Sequence, residues 1–343
     1  MILDDIVVDG KGNPKGKSTG INVKVKLQYK EFCLILLSSL ALCLFSSCKS
    51  SEEPLHYGGQ IYAEELLLQG LDVWSPYDLK IEHVLFTNPD DLVQAFRSGV
   101  VDVALFSDLQ AARVFAEMGD QALIIAISER GDRMSTLVRA DSGIQSWADL
   151  QGKKVALRSG SGVELAMKRY FALHPQLDWD AVEWINLAAE DMPAALTSGT
   201  VDAICALEPV PAMAQAAGGM RVLLSYGDCC PSPMVLVTTR DFAARNPEKL
   251  SAFLRGQRDK LALIRSDPAK TARIAAHAAK TYDLEIPASA FHIVFMRVDY
   301  TLEIDDAALA DLRETASELL ALGQIDRLPE FSFDATFLSA AGD

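Results

Sequence analysis

Basic side chains are scarce in this chain: 32 Lys and Arg stand against 47 Asp and Glu in 343 residues, a formal net charge of −15. Beyond Cys48 they form no basic cluster, and such a surface repels nucleic acid while it supports solubility. Long apolar runs are scarce too. The most apolar stretch, Phe32 to Phe45, spans 14 residues, short of the roughly 20 that a helix needs to cross a bilayer. The five histidines, at 56, 83, 174, 277 and 292, share no ligand spacing with the six cysteines, so neither a metal nor a cofactor is expected. Catalytic motifs are also missing. Beyond Cys48 there is no Gly-x-Ser-x-Gly elbow, no phosphate loop, no His-Glu-x-x-His and no coherent Ser-His-Asp set, which argues against an enzyme.

What the chain does have is a repeat. Asp91 to Ala104 and Asp191 to Ile204, one hundred residues apart, each place apolar residues at helical spacing, then Ser-Gly, then an apolar run broken once by Asp. Each copy reads as a helix stopped by glycine and followed by a short buried strand. Two similar α/β lobes are implied, with a small-molecule cleft between them. Asp102 and Asp202, inside the two joints, read as structural residues that bind backbone at the turn.

The N-terminal region sets the compartment. Basic residues from Lys24 to Lys30 precede the apolar run, and Ser46-Ser47-Cys48 follows it. This order matches a secretory signal and resembles the lipobox of bacterial lipoproteins, with Cys48 acylated and residues 1–47 removed. An exported protein held on a membrane surface, facing the periplasm or the cell exterior, is the expectation. Residues 1–23 lie upstream of any signal, and translation is expected to start instead at Val23, Val25 or Leu27. Beyond Cys48, three cysteines remain in an oxidising compartment. One disulfide, from Cys205 to Cys229 or Cys230, and one free thiol are expected.

Strands and helices then alternate, which argues for parallel sheets covered by helices. Strands are expected at Leu55–Tyr57, Ile81–Phe86, Val101–Phe106 and Ala122–Ile127, and the rhythm restarts after Asp141. Met234–Thr239 is read as a strand that carries the chain back to the first lobe, and from Asn246 onward the chain is mostly helical. The expected boundaries are an upstream segment and signal over 1–47, a first lobe over 48–138, a second lobe over 139–235, and a return with C-terminal helices over 236–343.

Several segments make a family resemblance specific: Gly143 to Ala156, Ser159-Gly160-Ser161, the two Gly-x-Val-Asp joints, Glu208-Pro209 and Asp241 to Glu248. Together they resemble the binding proteins of nitrate, sulfonate and taurine ABC importers, over most of residues 55–325. The resemblance implies an α/β, two-lobed, type II-like periplasmic binding protein fold, its lobes joined by two crossing strands. It also implies a monomer that closes on a solute and delivers it to ABC permease and ATPase subunits. Other uses of the scaffold are an enzyme of pyrimidine-precursor or menaquinone-pathway type, a receptor for a pyrimidine or amine, and a sensor input lobe.

Ligands of α/β lobes sit at the carboxyl ends of strands. Those ends are Gly58-Gly59, Thr87-Asn88, Ser107-Asp108, Ser159-Gly160-Ser161-Gly162 and Glu208-Pro209. The Ser-Gly-Ser-Gly segment before a helix offers N–H groups and hydroxyls to an anion, or simply a serine cap. Arg133 and Arg158 could pair with a sulfonate or stand on the surface as solvated charges. Asp108 and Glu208 could receive an amine or cap helices.

Overall fold

Short apolar runs such as Val103–Phe106 and Ala203–Leu207 set the inner strands, and proline or a capping side chain sets most helix starts. In the computed structural model, residues 53–342 are described. The signal, Cys48 and the start site lie outside them. The chain begins with β1 (Leu55–Gln60), α1 (Ala63–Gln69), β2 (Ile81–Phe86), α2 (Pro89–Arg97), β3 (Val103–Phe106), α3 (Asp108–Met118) and β4 (Ala122–Gly131). A second group follows: β5 (Met134–Arg139), β6 (Lys154–Leu157), α4 (Gly162–Leu173), β7 (Glu183–Asn186), α5 (Met192–Thr197), β8 (Ala203–Leu207), α6 (Val210–Ala217) and β9 (Met220–Ser225). The chain returns through β10 (Met234–Thr239), α7 (Arg240–Arg245), α8 (Pro247–Ser266), α9 (Pro268–Ala279), α10 (Ala288–Arg297), β11 (Val298–Tyr300), α11 (Asp306–Ala321) and α12 (Thr336–Ala340).

These strands form two sheets, ordered β11-β4-β10-β3-β1-β2 and β7-β6-β8-β5-β9. Each sheet has a parallel half, β3-β1-β2 and β7-β6-β8, extended by antiparallel strands. Side chains alternate across each sheet as a period of two demands. Val103 and Leu105 pack with α8 and α9 on one face, while Ala104 and Phe106 pack with α3 and α11 on the other. In the second sheet, Ala203 and Cys205 face one cluster and Ile204 and Ala206 the other.

The chain crosses between sheets twice, from β4 to β5 and from β9 to β10. The crossings touch: the Gly131 N–H donates to Pro231 O at 2.8 Å, and the Gly227 N–H to Asp132 Oδ1 at 2.9 Å. As expected, β10 returns the chain to the first sheet, between β3 and β4. Met134–Arg139 pairs within the second sheet, so the first crossing falls ahead of the expected boundary after residue 138.

The repeat survives in detail. Gly99 and Gly199 both have φ of +74°, a left-handed conformation that glycine adopts without steric cost. Ser98 Oγ donates to Ala95 O and Ser198 Oγ to Ala195 O, each at 3.1 Å. The equivalence extends beyond the joints, because Asp108 and Glu208 occupy matching positions one hundred residues apart, each after its repeat's buried strand.

The expected disulfide is absent, and Cys205, Cys229 and Cys230 are all free. Cys205 lies within β8, where its Sγ is 3.1 Å from Thr136 Oγ1, and Arg169 Nη1 donates to Cys230 Sγ at 3.4 Å. The two buried sulfurs are committed to separate partners. Burial pushes both thiols up to about 12, which leaves them protonated and unreactive.

Candidate functional site

A cleft of about 370 Å³ opens between the lobes, within the range of small-ligand pockets. Six strand ends build it. Gln60 ends β1 and Tyr62 follows it, Pro89 follows β2, Ser107 to Gln110 follow β3, Arg158 and Gly160 to Val163 follow β6, Ala189 and Met192 follow β7, and Leu207 ends β8 with Glu208 to Val210 after it. Arg133 and Ser232 from the crossings, with Met134 at the start of β5, form its back. These are the carboxyl ends of the parallel strands in both sheets, where an α/β sheet leaves a crevice.

Nine of the residues singled out in the sequence meet here: Ser107, Asp108, Arg133, Arg158, Gly160, Ser161, Gly162, Glu208 and Pro209. Five do not line the cleft. Gly58 and Gly59 lie inside β1, which continues to Gln60. A Cβ on Gly58 would come within 2.6 Å of Leu92 Cδ1, and one on Gly59 would collide with Glu65 Oε2, so both glycines serve close packing. Asn88 caps α2 by accepting from the Asp90 N–H at 3.0 Å, and Thr87 is exposed beside it. The Ser159 N–H donates to Asn186 Oδ1 at 3.0 Å.

The two acids are satisfied by the protein itself. Asp108 Oδ1 accepts from the Leu109 N–H at 2.9 Å and the Ser232 hydroxyl at 3.2 Å, and Oδ2 accepts from the Thr315 hydroxyl at 2.9 Å. Glu208 pairs with Arg297 and accepts from the Ala212 N–H at 3.1 Å. Burial nevertheless raises the pKa of both, against the pull of these donors.

The cations divide differently. Arg133 is buried, contrary to a surface role. Its Nε lies 2.7 Å from Glu129, its Nη1 donates to Ser232 O at 3.1 Å, and its guanidinium sits 5.4 Å from the Tyr62 ring centre. Burial opposes its charge, but Glu129, with Tyr62, Glu64 and Asp108, holds its pKa above the ordinary value. Arg113 donates to Gln324 Oε1 at 2.9 Å. Arg158 is exposed, and among the described residues no acceptor or carboxylate engages its guanidinium. Beside it α4 begins, and its first-turn N–H groups have no acceptor within the helix. The Gly160 N–H donates to Glu164 Oε2 at 2.6 Å, and Ser161 Oγ donates to Arg158 O at 2.6 Å instead of capping the helix.

Gln60, Tyr62, Arg113, Met134 and Ser232 were not found from the sequence. Carrying β1 to its true end at Gln60 would have pointed to the first two. Ser232 lies in an irregular crossing and carries no motif.

Comparison with known proteins supports this architecture. A protein of Escherichia coli K12 named for the binding of aliphatic sulfonates is 26% identical over 291 residues, covering 83% of this chain and 89% of its own. The crystal structure of the periplasmic aliphatic sulphonate binding protein SsuA of Escherichia coli superposes with a TM-score of 0.69 at 23% identity, over 81% of this chain and 95% of that one. A Candida albicans protein with the generic periplasmic binding protein fold superposes with a TM-score of 0.56 at 14% identity, over 84% and 96%. The fold is therefore the two-lobed periplasmic binding protein fold. The family model described as NMT1/THI5 like matches residues 75–271, more than half of the sequence, and the chain belongs to that family.

Proposed function

We propose that this protein is the solute-binding component of an ABC importer, and that it closes its lobes on a small organic anion of the sulfonate class. One observation carries the choice of anion over amine. Both acids of the cleft, Asp108 and Glu208, are filled by the protein's own donors, whereas the Arg158 guanidinium and the start of α4 keep donors for a ligand. An amine would have to displace Arg297 or Thr315 to reach a carboxylate. Apolar walls from Leu109, Met134, Val163 and Met192 suit an alkyl chain behind the charged head. The E. coli relatives named for aliphatic sulfonates support the same class.

Ligand must touch both lobes, because only differential contacts shift an open-to-closed balance. An enzyme on this scaffold has less support. The buried Cys205 thiol at the cleft is held protonated, and the sequence offers no nucleophile with a base. Export through the signal, acylation at Cys48 and delivery to permease and ATPase subunits complete the reading, with Cys48→Ala expected to release the protein from membranes.

Thermal-shift screening against ethanesulfonate, nitrate, a pyrimidine and an alkylamine tests the solute. At a hundred times its dissociation constant a true ligand adds about 2.7 kcal/mol. Stabilisation by the amine or pyrimidine alone would overturn the anion reading.

A further inference from the structure

Besides the Arg297–Glu208 pair, a second side chain away from the ligand-facing wall ties the lobes together. Arg169 stands on α4 of the second lobe, is 6% exposed and does not line the cleft. Its Nε lies 2.8 and 3.0 Å from the two carboxylate oxygens of Glu318 on α11, and its Nη2 lies 2.7 Å from Glu318 Oε2. Nη2 also donates to Thr315 Oγ1 at 2.9 Å. Helix α11 packs on α3 of the first lobe, so these bonds span the two sheets. The contact extends along α4. Gly162, seven residues and about two turns earlier on the same helix face, approaches α3 so closely that a Cβ there would lie 3.3 Å from Leu109 Cδ1.

The clasp also connects to the cleft. The Thr315 hydroxyl that accepts from Arg169 donates to Asp108 Oδ2, Asp108 Oδ1 accepts from Ser232 Oγ, and Ser232 O accepts from Arg133 in the crossing. A path of hydrogen bonds thus runs from α4 through the first lobe to the back of the cleft. Parting the lobes breaks the fork-shaped pairing with Glu318 and removes the Thr315 acceptor, leaving a low-exposure guanidinium to be rehydrated. Such a contact has two arrangements, made or broken, which is the physical requirement for a switch.

We propose that Arg169 is a positioning residue: an interlobe clasp that sets the balance between apposed and parted lobes, and through it the affinity for ligand, without touching the ligand. The effect on affinity rests on the sulfonate reading above, but the effect on the lobes does not.

Small-angle X-ray scattering of the ligand-free protein reads the lobes directly. Arg169→Met should enlarge the radius of gyration over wild type. Arg169→Lys should fall between, because an ammonium cannot reproduce the two-pronged bond. Calorimetry with ethanesulfonate should show binding weakened about fivefold or more in Arg169→Met, the scale of ordinary coupling between sites. If Arg169→Met does not fold, Glu318→Gln removes the same ion pair from its half-exposed side and should enlarge the particle likewise. Wild-type scattering from a natively folded Arg169→Met or Glu318→Gln protein overturns the clasp. Enlarged particles with no ethanesulfonate binding even in wild type uphold the clasp and reject the solute instead.

Discussion

Asp202 grips Lys154 by two backbone bonds: its carboxylate accepts the Lys154 N–H at 3.0 Å and its own N–H donates to the Lys154 carbonyl at 2.8 Å. Asp102 does the same to His56, with both distances 2.9 Å. In each lobe the aspartate of the duplicated joint therefore fastens the start of the middle strand of the parallel half, β6 or β1, beside the strand it precedes. The cleft loops leave the opposite ends of those strands, so the clamps fix the walls from below.

Removing a clamp should cost stability and spare binding. Asp202→Ala strips an acceptor from a backbone N–H, and a hydrogen bond to a charged group contributes about 1.5 to 3 kcal/mol. Chemical denaturation should show a loss in that range, with ethanesulfonate affinity unchanged under native conditions. A loss below about 0.5 kcal/mol would show that solvent replaces the carboxylate and that the clamp is incidental.

The thiols offer a second check. Alkylation after denaturation without reductant, followed by peptide mapping, should modify Cys205, Cys229 and Cys230 alike. In the native protein Cys229, the half-buried one, should react first. Recovery of a peptide pair bridged through Cys205 would contradict the free thiols.

Asp311 gives a pH test. On α11, half-buried and facing Arg169, Glu314, Asp108 and Arg130, it is pushed from 3.8 to about 6, chiefly by burial, with Glu314 and Asp108 adding to the rise and the arginines opposing it. An acid with a raised folded pKa contributes stability that is complete below its unfolded pKa and is lost as pH rises through the folded one. Asp311→Asn should therefore gain melting temperature relative to wild type at pH 7.5 but not at pH 4. Equal differences at the two pH values would place the carboxyl at its ordinary pKa.

Much of this was legible because local chemistry and tertiary structure agree. Asn88 before Pro89, the Ser-Gly joints and the apolar run Met234–Thr239 each announce their element by turn chemistry or period, and the structure keeps them. β5 and β11 were missed. Met134–Arg139 mixes Met, Ser, Thr, Leu and Val without alternation because both its faces are covered, and three residues at Val298–Tyr300 are too few to show a period. The cleft was legible where a helix follows a strand directly, at Ser107-Asp108 and Gly160 to Gly162. It was illegible where contact is made in space alone: nothing near Glu208 or Asp108 in sequence reveals Arg297 or Thr315. Those distant partners turned two candidate amine acceptors into filled ones.

The cleft itself gives the sharpest test. Arg158 is exposed and unengaged among the described residues, so Arg158→Ala should leave folding intact and remove one charge-assisted bond to an anion, a loss of about 1.5 to 3 kcal/mol or roughly ten- to hundredfold in affinity for ethanesulfonate. Gly160→Asp should be worse for an anion. It sets a carboxylate beside the α4 donors and forces a side chain onto a backbone with φ of +73°, so its melting temperature must be compared alongside. Glu208→Gln separates the readings. It frees Arg297 from an interlobe ion pair and should lower stability, yet it leaves an anion's donors in place, so its loss of sulfonate affinity should stay below that of Arg158→Ala. For an amine the order inverts, with Glu208→Gln the most damaging. Calorimetry on the three variants decides: unchanged affinity in Arg158→Ala and Gly160→Asp, with native folding confirmed, would move the site away from the start of α4.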